Sequence, residues 1–276
     1  MQQSLLFRRI NAVAIYLPEP ILLLMSDHGA EYCKSVINHF TYDIPTSVAE
    51  YIAMRHRGNS ANELLEEPVI RALLNGVTGD RCLDLGCGYG YYSNLVALRG
   101  FTVTAIDRAA LMIESAKKLN AHPLVNYQTA DIANVEFAPS SFDLVISNLV
   151  LHYLDDLPSV ASRIHRWLTP GGALIFSVEH PVYTANRRQV PPPWSDSSSS
   201  VWGVADYFAA GPRSGAFGIK YHHTITEYLA SFLSAGFKLS DISEPRPHEK
   251  AIERNPKLAE CLVRPVFLTT KWINTI

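Results

Sequence analysis

The sequence predicts a doubly wound α/β fold, with seven strands in a mostly parallel sheet and helices on both faces. Three observations carry this. Short apolar and β-branched runs alternate with helical stretches from Arg81 to Val178, the pattern of right-handed strand–helix–strand crossovers around a buried sheet. Glycines close three of the predicted helices, at Gly100, Gly171-Gly172 and Gly236, where a chain leaving a helix needs conformational freedom. A turn with three glycines, Gly86-Cys87-Gly88-Tyr89-Gly90, stands where the first strand gives way to a helix.

The elements follow in order. Ala12 to Met25 is apolar but broken by Pro18, Glu19 and Pro20, too short and too interrupted for a membrane span. No small-residue cleavage pattern follows it, so it does not read as a signal peptide. Residues 1–25 are therefore read as an extension, with Met25 as an alternative start and residues 1–24 dispensable for ligand binding. Residues 26–276 form one domain, and 26–58 provide a helical N-terminal cap. Ser60-Ala61-Asn62-Glu63 has the form of a capping box, in which hydroxyl and carboxylate satisfy free N–H groups at a helix start. Pro68 kinks or restarts that helix, and Asn75-Gly76 ends it.

Strands are predicted at Arg81–Leu85, Phe101–Ile106, Leu124–Thr129, Phe142–Ser147 and Ala173–Val178. Helices are predicted at Tyr91–Arg99, Arg108–Asn120 and Asp155–Leu168. The alternation then breaks. Residues 179–224 hold three consecutive prolines from Pro191, four serines from Ser197, and Trp194, Trp202, Tyr207 and Phe208. A loop this long in a compact domain is commonly functional, and 179–224 is read as an inserted mobile cap, with Pro191–Ser200 its flexible part. A helix at Ile225–Ala235 and strands at Phe237–Ser243 and Pro265–Ile273 complete the chain.

Composition narrows the function classes. Of 276 residues 47% are hydrophobic and 18% charged, which suits a large buried core and argues against global disorder. The net charge is -2, so no global attraction to nucleic acid or acidic lipid is expected. Cys33, Cys82, Cys87 and Cys261 form no CxxC pair and read as reduced thiols of a cytosolic protein.

The chemistry sits in Cys82-Leu83-Asp84-Leu85-Gly86-Cys87-Gly88-Tyr89-Gly90. Glycines let a ligand approach the backbone. Asp84 lies at the end of the first strand and Asp107 at the end of the second, the place where an acid receives ribose hydroxyls in nucleotide-binding α/β folds. A dinucleotide fingerprint reads G-x-G-x-x-G/A, whereas the spacing here is G-x-G-x-G. An acid just before the glycines also opposes a pyrophosphate but suits a ligand with an ammonium and a sulfonium. The charge pattern favours S-adenosylmethionine over NAD.

At these residues the sequence resembles the class I S-adenosylmethionine-dependent methyltransferases, most closely the small-molecule branch related to the ubiquinone-biosynthesis type. The resemblance runs from about Ala61 to the C-terminus. It rests on ordered segments: LDLGCGYG, TAIDRA, TADIANVEF, FDLVISNLVLHYLDDL and LTPGGALIFSVEHP. It implies a Rossmann-like sheet whose last strand, Val266–Trp272, is antiparallel. It also implies that Gly86, Gly88 and Gly90 line the methionine and ribose portion of the cofactor, that Asp84 reaches its ammonium, and that Asp107 accepts from both ribose hydroxyls. Arg108 would cover the adenine, Asp131 and Ile132 would bracket it, and Asn148 and Leu149 would floor the transfer site. Tyr51 and Arg57 are candidates for holding the methionine carboxylate. Alternatives stay open: Gly90 for helix–sheet packing, Asp107 as a helix N-cap, Asp131 as a turn residue, and Arg57 as a solvated charge.

Methyl transfer needs alignment and exclusion of water, and a base only where the acceptor must lose a proton. Candidate bases are His152 and His180, just after the fourth and fifth strands, and His222 and His223, at the end of the insertion. Each alone is also readable as a structural histidine. The cap is expected to face the acceptor with aromatic side chains and with His222 or His223. No metal is indicated. The expected partner is a small-molecule acceptor, with no nucleic acid and no membrane. The alternatives are a tRNA or rRNA methyltransferase and a non-catalytic S-adenosylmethionine-binding regulator.

Overall fold

A computed structural model describes residues 42, 44–186, 202–215 and 218–275. Contacts divide the chain into Met1–His39 and Phe40–Ile276, and the fold below is that of the second unit. The expectations for residues 1–25 and for Pro191–Ser200 lie outside the described residues.

The strands are β1 (Arg81–Leu85), β2 (Thr102–Asp107), β3 (Val125–Thr129), β4 (Phe142–Asn148), β5 (Leu168–Glu179), β6 (Gly211–Gly215), β7 (Gly218–His222), β8 (Phe237–Ser243) and β9 (Phe267–Asn274). Seven of them form one sheet in the order β3-β2-β1-β4-β5-β9-β8. β9 runs antiparallel between β5 and β8, and the pairs from β3 to β5 are parallel. The predicted sheet, with its antiparallel last strand, is the observed one.

Period-two alternation sorts each strand between two cores. Leu83, Leu85, Val145, Leu174 and Phe176 face one, with Trp167, Phe232 and Trp272. Cys82, Leu144, Ile146, Ala173 and Ile175 face the other, with Val96, Ile113 and Ala116. The helices supply the covering layers: α3 (Tyr91–Ala97) and α4 (Ala110–Leu119) on one face, α5 (Leu157–Trp167) and α7 (Ile225–Ser234) on the other. The Asp156 side chain starts α5 by accepting from the Ser159 N–H. Thr224 and Glu227 form a full capping box at the start of α7.

Before the sheet come α1 (Pro45–Arg55), a π-helical turn over Asn62–Glu66, and α2 (Glu67–Leu73). The predicted reciprocity is present there: the Glu63 N–H donates to Ser60 Oγ, and the Ser60 N–H donates to Glu63 Oε2. The π turn ends where Pro68 enters the first turn of α2, the restart expected of a proline that cannot donate.

The insertion departs from its sequence reading as one long loop. It contains a one-turn helix α6 (Pro181–Thr184) and the antiparallel hairpin β6–β7. The hairpin escaped notice because Gly211, Gly215 and Gly218 weaken any strand pattern. The last helix, α8 (Glu249–Arg254), lies in the proline-bounded segment before β9. Among the described residues no helix is long and apolar enough to cross a membrane.

Candidate active site

Strand order reverses between β1 and β4, since β2 and β3 lie on one side of β1 and β5 on the other. Ligands of open α/β sheets bind at such a switch point, beyond the carboxyl ends of the strands. A cavity of about 360 Å³ opens there. Its wall follows the sheet: Asp84 in β1 and Gly86 just after it, Asp107 from β2, Asp131 beyond β3, Asn148 from β4 and Leu149 just after it, Glu179 from β5.

The glycine turn is tied inward. The N–H groups of Gly86 and Cys87 both donate to the Ile106 carbonyl, at 2.8 and 2.9 Å. The Gly88 N–H donates to Asp107 Oδ2 at 2.9 Å, and the Gly90 N–H to the Cys87 carbonyl. These amides are therefore committed to protein acceptors, unlike the open N–H cradle that receives phosphate in a dinucleotide site. Two acids face the same space. Asp107 also accepts from the Ala109 N–H at 2.9 Å, a side-chain turn that leads into α4; the N-cap position itself is Ala109, so Asp107 is not the helix N-cap. Asp84 is 2% exposed and accepts from Ser93 Oγ at 2.6 Å. Burial pushes its carboxyl up to about 7, against the Ser93 hydrogen bond and with the help of the nearby Asp107 charge. A buried acid so poised is stabilised as a carboxylate by a cationic ligand, and the donor set fits S-adenosylmethionine.

Gly86 and Gly90 differ in kind. Both take positive φ, 76° and 86°. A Cβ on Gly86 would run into the Val150 side chain at the cavity wall, whereas one on Gly90 would run into the Tyr127 phenol. Gly90 does not line the cavity; its bareness serves the packing of α3 on the sheet, as the alternative reading had it. Gly88 lines it, and so do Arg108, Ile132 and Tyr51.

Arg57 is exposed and stands away from the cavity, and Arg55 lines it instead. Tyr51 and Arg55 are four residues apart on α1, one helical turn, and so share a face. Burial works against the Arg55 charge, but Tyr51, Glu66, Tyr89 and Tyr92 around it hold its pKa above the ordinary value. Its Nε has no partner among the described residues. Burial likewise pushes the Tyr51 hydroxyl up to about 12, against the pull of Arg55.

Glu66, fully buried, is a residue that sequence reading passed over. It accepts from Ser177 Oγ and from the side-chain amides of Asn148 and Asn62, at 3.2 Å each for the two amides. Ser177 in turn accepts from the Leu149 N–H at 3.1 Å. Leu149 takes a left-handed φ of 57°, an uncommon state for a branched side chain and one found most often at functional sites. The Glu66–Ser177–Asn148 network holds the floor of the cavity in that shape.

The histidines separate cleanly. His152 lines the cavity, and its Nδ1 accepts from the Glu179 N–H at 3.3 Å. His180 does not line it: Nδ1 accepts from the Val182 N–H and Nε2 meets Glu244 Oε1 at 2.7 Å. His222 is held between Thr184 Oγ1 and the Tyr207 carbonyl, and His223 by the Leu154 carbonyl. All three brace the insertion and its junctions, and Tyr207 and Phe208 do not line the cavity either. The insertion still reaches the wall, through Lys220 of β7 and Tyr183 of α6. Lys220 is paired with Glu179. Arg264, before β9, also lines the cavity, its guanidinium 3.8 Å from the Trp202 ring centre and 4.7 Å from that of Tyr183.

A methyltransferase-domain family matches residues 83–176, which run from β1 into β5. A crystal structure of an S-adenosylmethionine-dependent methyltransferase from Mesorhizobium loti is 32% identical, covers 78% of this chain and 98% of its own, and has a TM-score of 0.70. The chain belongs to the S-adenosylmethionine-dependent methyltransferases. Among relatives of this methyltransferase, an uncharacterized Haemophilus influenzae protein is 29% identical over 218 residues, 74% of this chain and 85% of that one. A malonyl-[acyl-carrier protein] O-methyltransferase from Serratia marcescens is 36% identical over 99 residues, 36% of this chain and 38% of the relative. The methyltransferase uses S-adenosylmethionine as its cofactor, and the acids and committed amides of its glycine turn suit that choice.

Proposed function

We propose that this methyltransferase binds S-adenosylmethionine across the carboxyl ends of β1, β2 and β3 and methylates a small molecule held beyond β4 and β5. The observation that carries the division is the sheet order, which sets the acids of β1 and β2 on one side of the switch point and Glu179, Lys220 and Arg264 on the other. Asp84 takes the ammonium, Asp107 the ribose hydroxyls, and Tyr51 with Arg55 the methionine carboxylate. Arg108, Asp131 and Ile132 bracket the adenine. Asn148 and Leu149, braced through Glu66 and Ser177, form the floor where methyl and acceptor meet. When bound, the cofactor supplies a methyl group already activated by its sulfonium charge. The protein aligns the acceptor with it and excludes water, which accounts for most of what such a reaction needs.

Calorimetry tests the cofactor half. S-adenosylmethionine and S-adenosylhomocysteine are expected to bind and NAD not; NAD binding without sulfonium binding would sink the reading.

The Asp84 carboxyl adds a pH dependence. With its pKa raised from 3.8 to about 7 in the folded protein, the folded state keeps a proton that the unfolded chain releases. Without ligand, stability therefore falls as pH rises from about 4 to about 7 and this contribution is flat above. Binding the ammonium needs the carboxylate, so S-adenosylmethionine affinity rises as pH rises from about 5.5 to 7, by at most about tenfold per unit. In Asp84→Asn the rise disappears. Titration calorimetry of both proteins checks this, and a slope that survives in the variant would remove Asp84 from the ammonium site.

A further inference from the structure

Resting on the reading of this cavity as a methyl-transfer site, we propose that the acceptor atom is a carboxylate oxygen, received as an anion by the Nε2–H of a neutral His152 rather than deprotonated by that ring. The place of the proton on His152 follows from its neighbour. The Glu179 N–H faces Nδ1 at 3.3 Å, and a backbone N–H only donates, so Nδ1 accepts and the neutral ring carries its hydrogen on Nε2. No atom of the described residues bonds Nε2, while the ring lines the cavity. A second proton would land on Nδ1, against the Glu179 N–H. Burial, with Lys220 and His223 adding to it, holds the pKa of His152 well below the ordinary value. The ring therefore offers the acceptor a donor and no lone pair.

Most of the other groups on this side are donors too, and Glu179 Oε2 and Asn148 Oδ1 are acceptors without a partner among the described residues. Burial and neighbouring charge hold the Tyr42 and Tyr153 hydroxyls protonated, and the two are hydrogen-bonded to each other, which leaves one hydroxyl of the pair to donate outward. Lys220 and Arg264 bring positive charge to the wall. The Nε and Nη1 of Arg264 have no partner among the described residues, and its Nη2 meets only Glu260 at 3.3 Å, an exposed carboxylate. Glu179 is paired with Lys220 through Oε1 alone, while Glu66 is engaged by Ser177, Asn148 and Asn62. His180, His222 and His223 are committed elsewhere. An alcohol or phenol acceptor would need a base, for which Glu179 Oε2 is the candidate on this side. A carboxylate needs no base and matches the His152 Nε2–H and the Arg264 guanidinium, Lys220 being balanced by Glu179. Its oxygen bonds to the methyl carbon as the carbon–sulfur bond breaks and the electron pair stays on sulfur. Anion and sulfonium become a neutral ester and a neutral thioether, and no proton moves.

Three measurements on the full chain decide it. Nitrogen-15 NMR of the histidine rings is expected to show His152 with a protonated Nε2 and a bare Nδ1 across about pH 6–8. A protonated Nδ1, or titration inside that range, overturns the proposal whatever the enzyme turns over. Cell extract incubated with the enzyme and methyl-labelled S-adenosylmethionine is then treated with mild alkali. Label released as methanol marks a methyl ester and is the expected result; alkali-stable label overturns the proposal and turns attention to Glu179 as a base. With the labelled product, His152→Gln, which keeps a donor but no base, should retain about tenfold more turnover than His152→Ala. Equal losses overturn the donor role. No labelled product at all, with cofactor binding intact, defeats the methyl-transfer reading itself, and the tautomer measurement tells the two failures apart.

Discussion

Asp107→Ala is expected to raise the dissociation constant for S-adenosylmethionine by roughly 10²–10⁴. Two hydrogen bonds to a charged acceptor are proposed, each contributing about 1.5–3 kcal/mol, and tenfold in affinity corresponds to about 1.4 kcal/mol. Asp107 has a second, structural role that must be separated from this one. It accepts from the Gly88 and Ala109 N–H groups at 2.9 Å each, so the variant loses the anchor of the glycine turn and the turn into α4. Each lost hydrogen bond costs about 1 kcal/mol, together roughly 4–8 °C in melting temperature for a chain of this class. The two effects are therefore read on different instruments. Calorimetry should show the large affinity loss, and thermal melting of ligand-free protein only the small one. Asp107→Asn, which keeps an acceptor without the charge, should fall between wild type and Ala. A melting temperature lowered with affinity unchanged would leave Asp107 as a structural turn residue alone.

Gly90→Ala should destabilise the protein by about 2–5 kcal/mol, through strain and overlap together. At φ 86° a side chain sits in the left-handed region, which costs about 1–2 kcal/mol. The new methyl would also overlap the Tyr127 phenol. That ring is 6% exposed, and its hydroxyl donates to the Asn120 carbonyl at 2.8 Å, so it cannot swing aside without giving up the bond. Overpacking of such a site costs about 1–3 kcal/mol. Pairing Gly90→Ala with Tyr127→Leu removes the overlap but leaves the strain, so denaturant unfolding of the four proteins should show a favourable coupling of about 1–3 kcal/mol. Additivity within about 0.5 kcal/mol would mean that the two residues do not contest the same space.

The sheet was legible along the chain chiefly because its central strands β1, β4 and β5 are buried on both faces and so read as apolar runs. Arg81–Leu85 and Phe237–Ser243 were predicted with the bounds observed, and the other sheet strands shifted chiefly at their ends. The residues at strand ends were legible for the same reason. Once β1, β2 and β4 are placed, Asp84, Asp107 and Asn148 must lie along one edge of the sheet, and all three line the cavity. Position along a parallel strand determines which edge a side chain occupies.

Which way a helical or loop residue faces is decided only by what packs against it. Arg55 is the last residue of α1 and Arg57 lies in the turn beyond it, and only packing could choose between them; Arg55 went in and Arg57 out. The histidines look alike in sequence, yet partners far along the chain divide them. Glu244 and Thr184 take His180 and His222, while the Glu179 backbone leaves one nitrogen of His152 open to the cavity. Glu66 reads as a helical acid until Ser177, 111 residues away, closes on it. Lys220 could not be placed before the glycine-rich hairpin was seen to carry it to Glu179. The chain's own pattern thus determines the fold and the acids at its strand ends, through local burial and period. The donors and cations that line this side of the cavity come from tertiary structure, because each depends on a contact between segments that no local period connects.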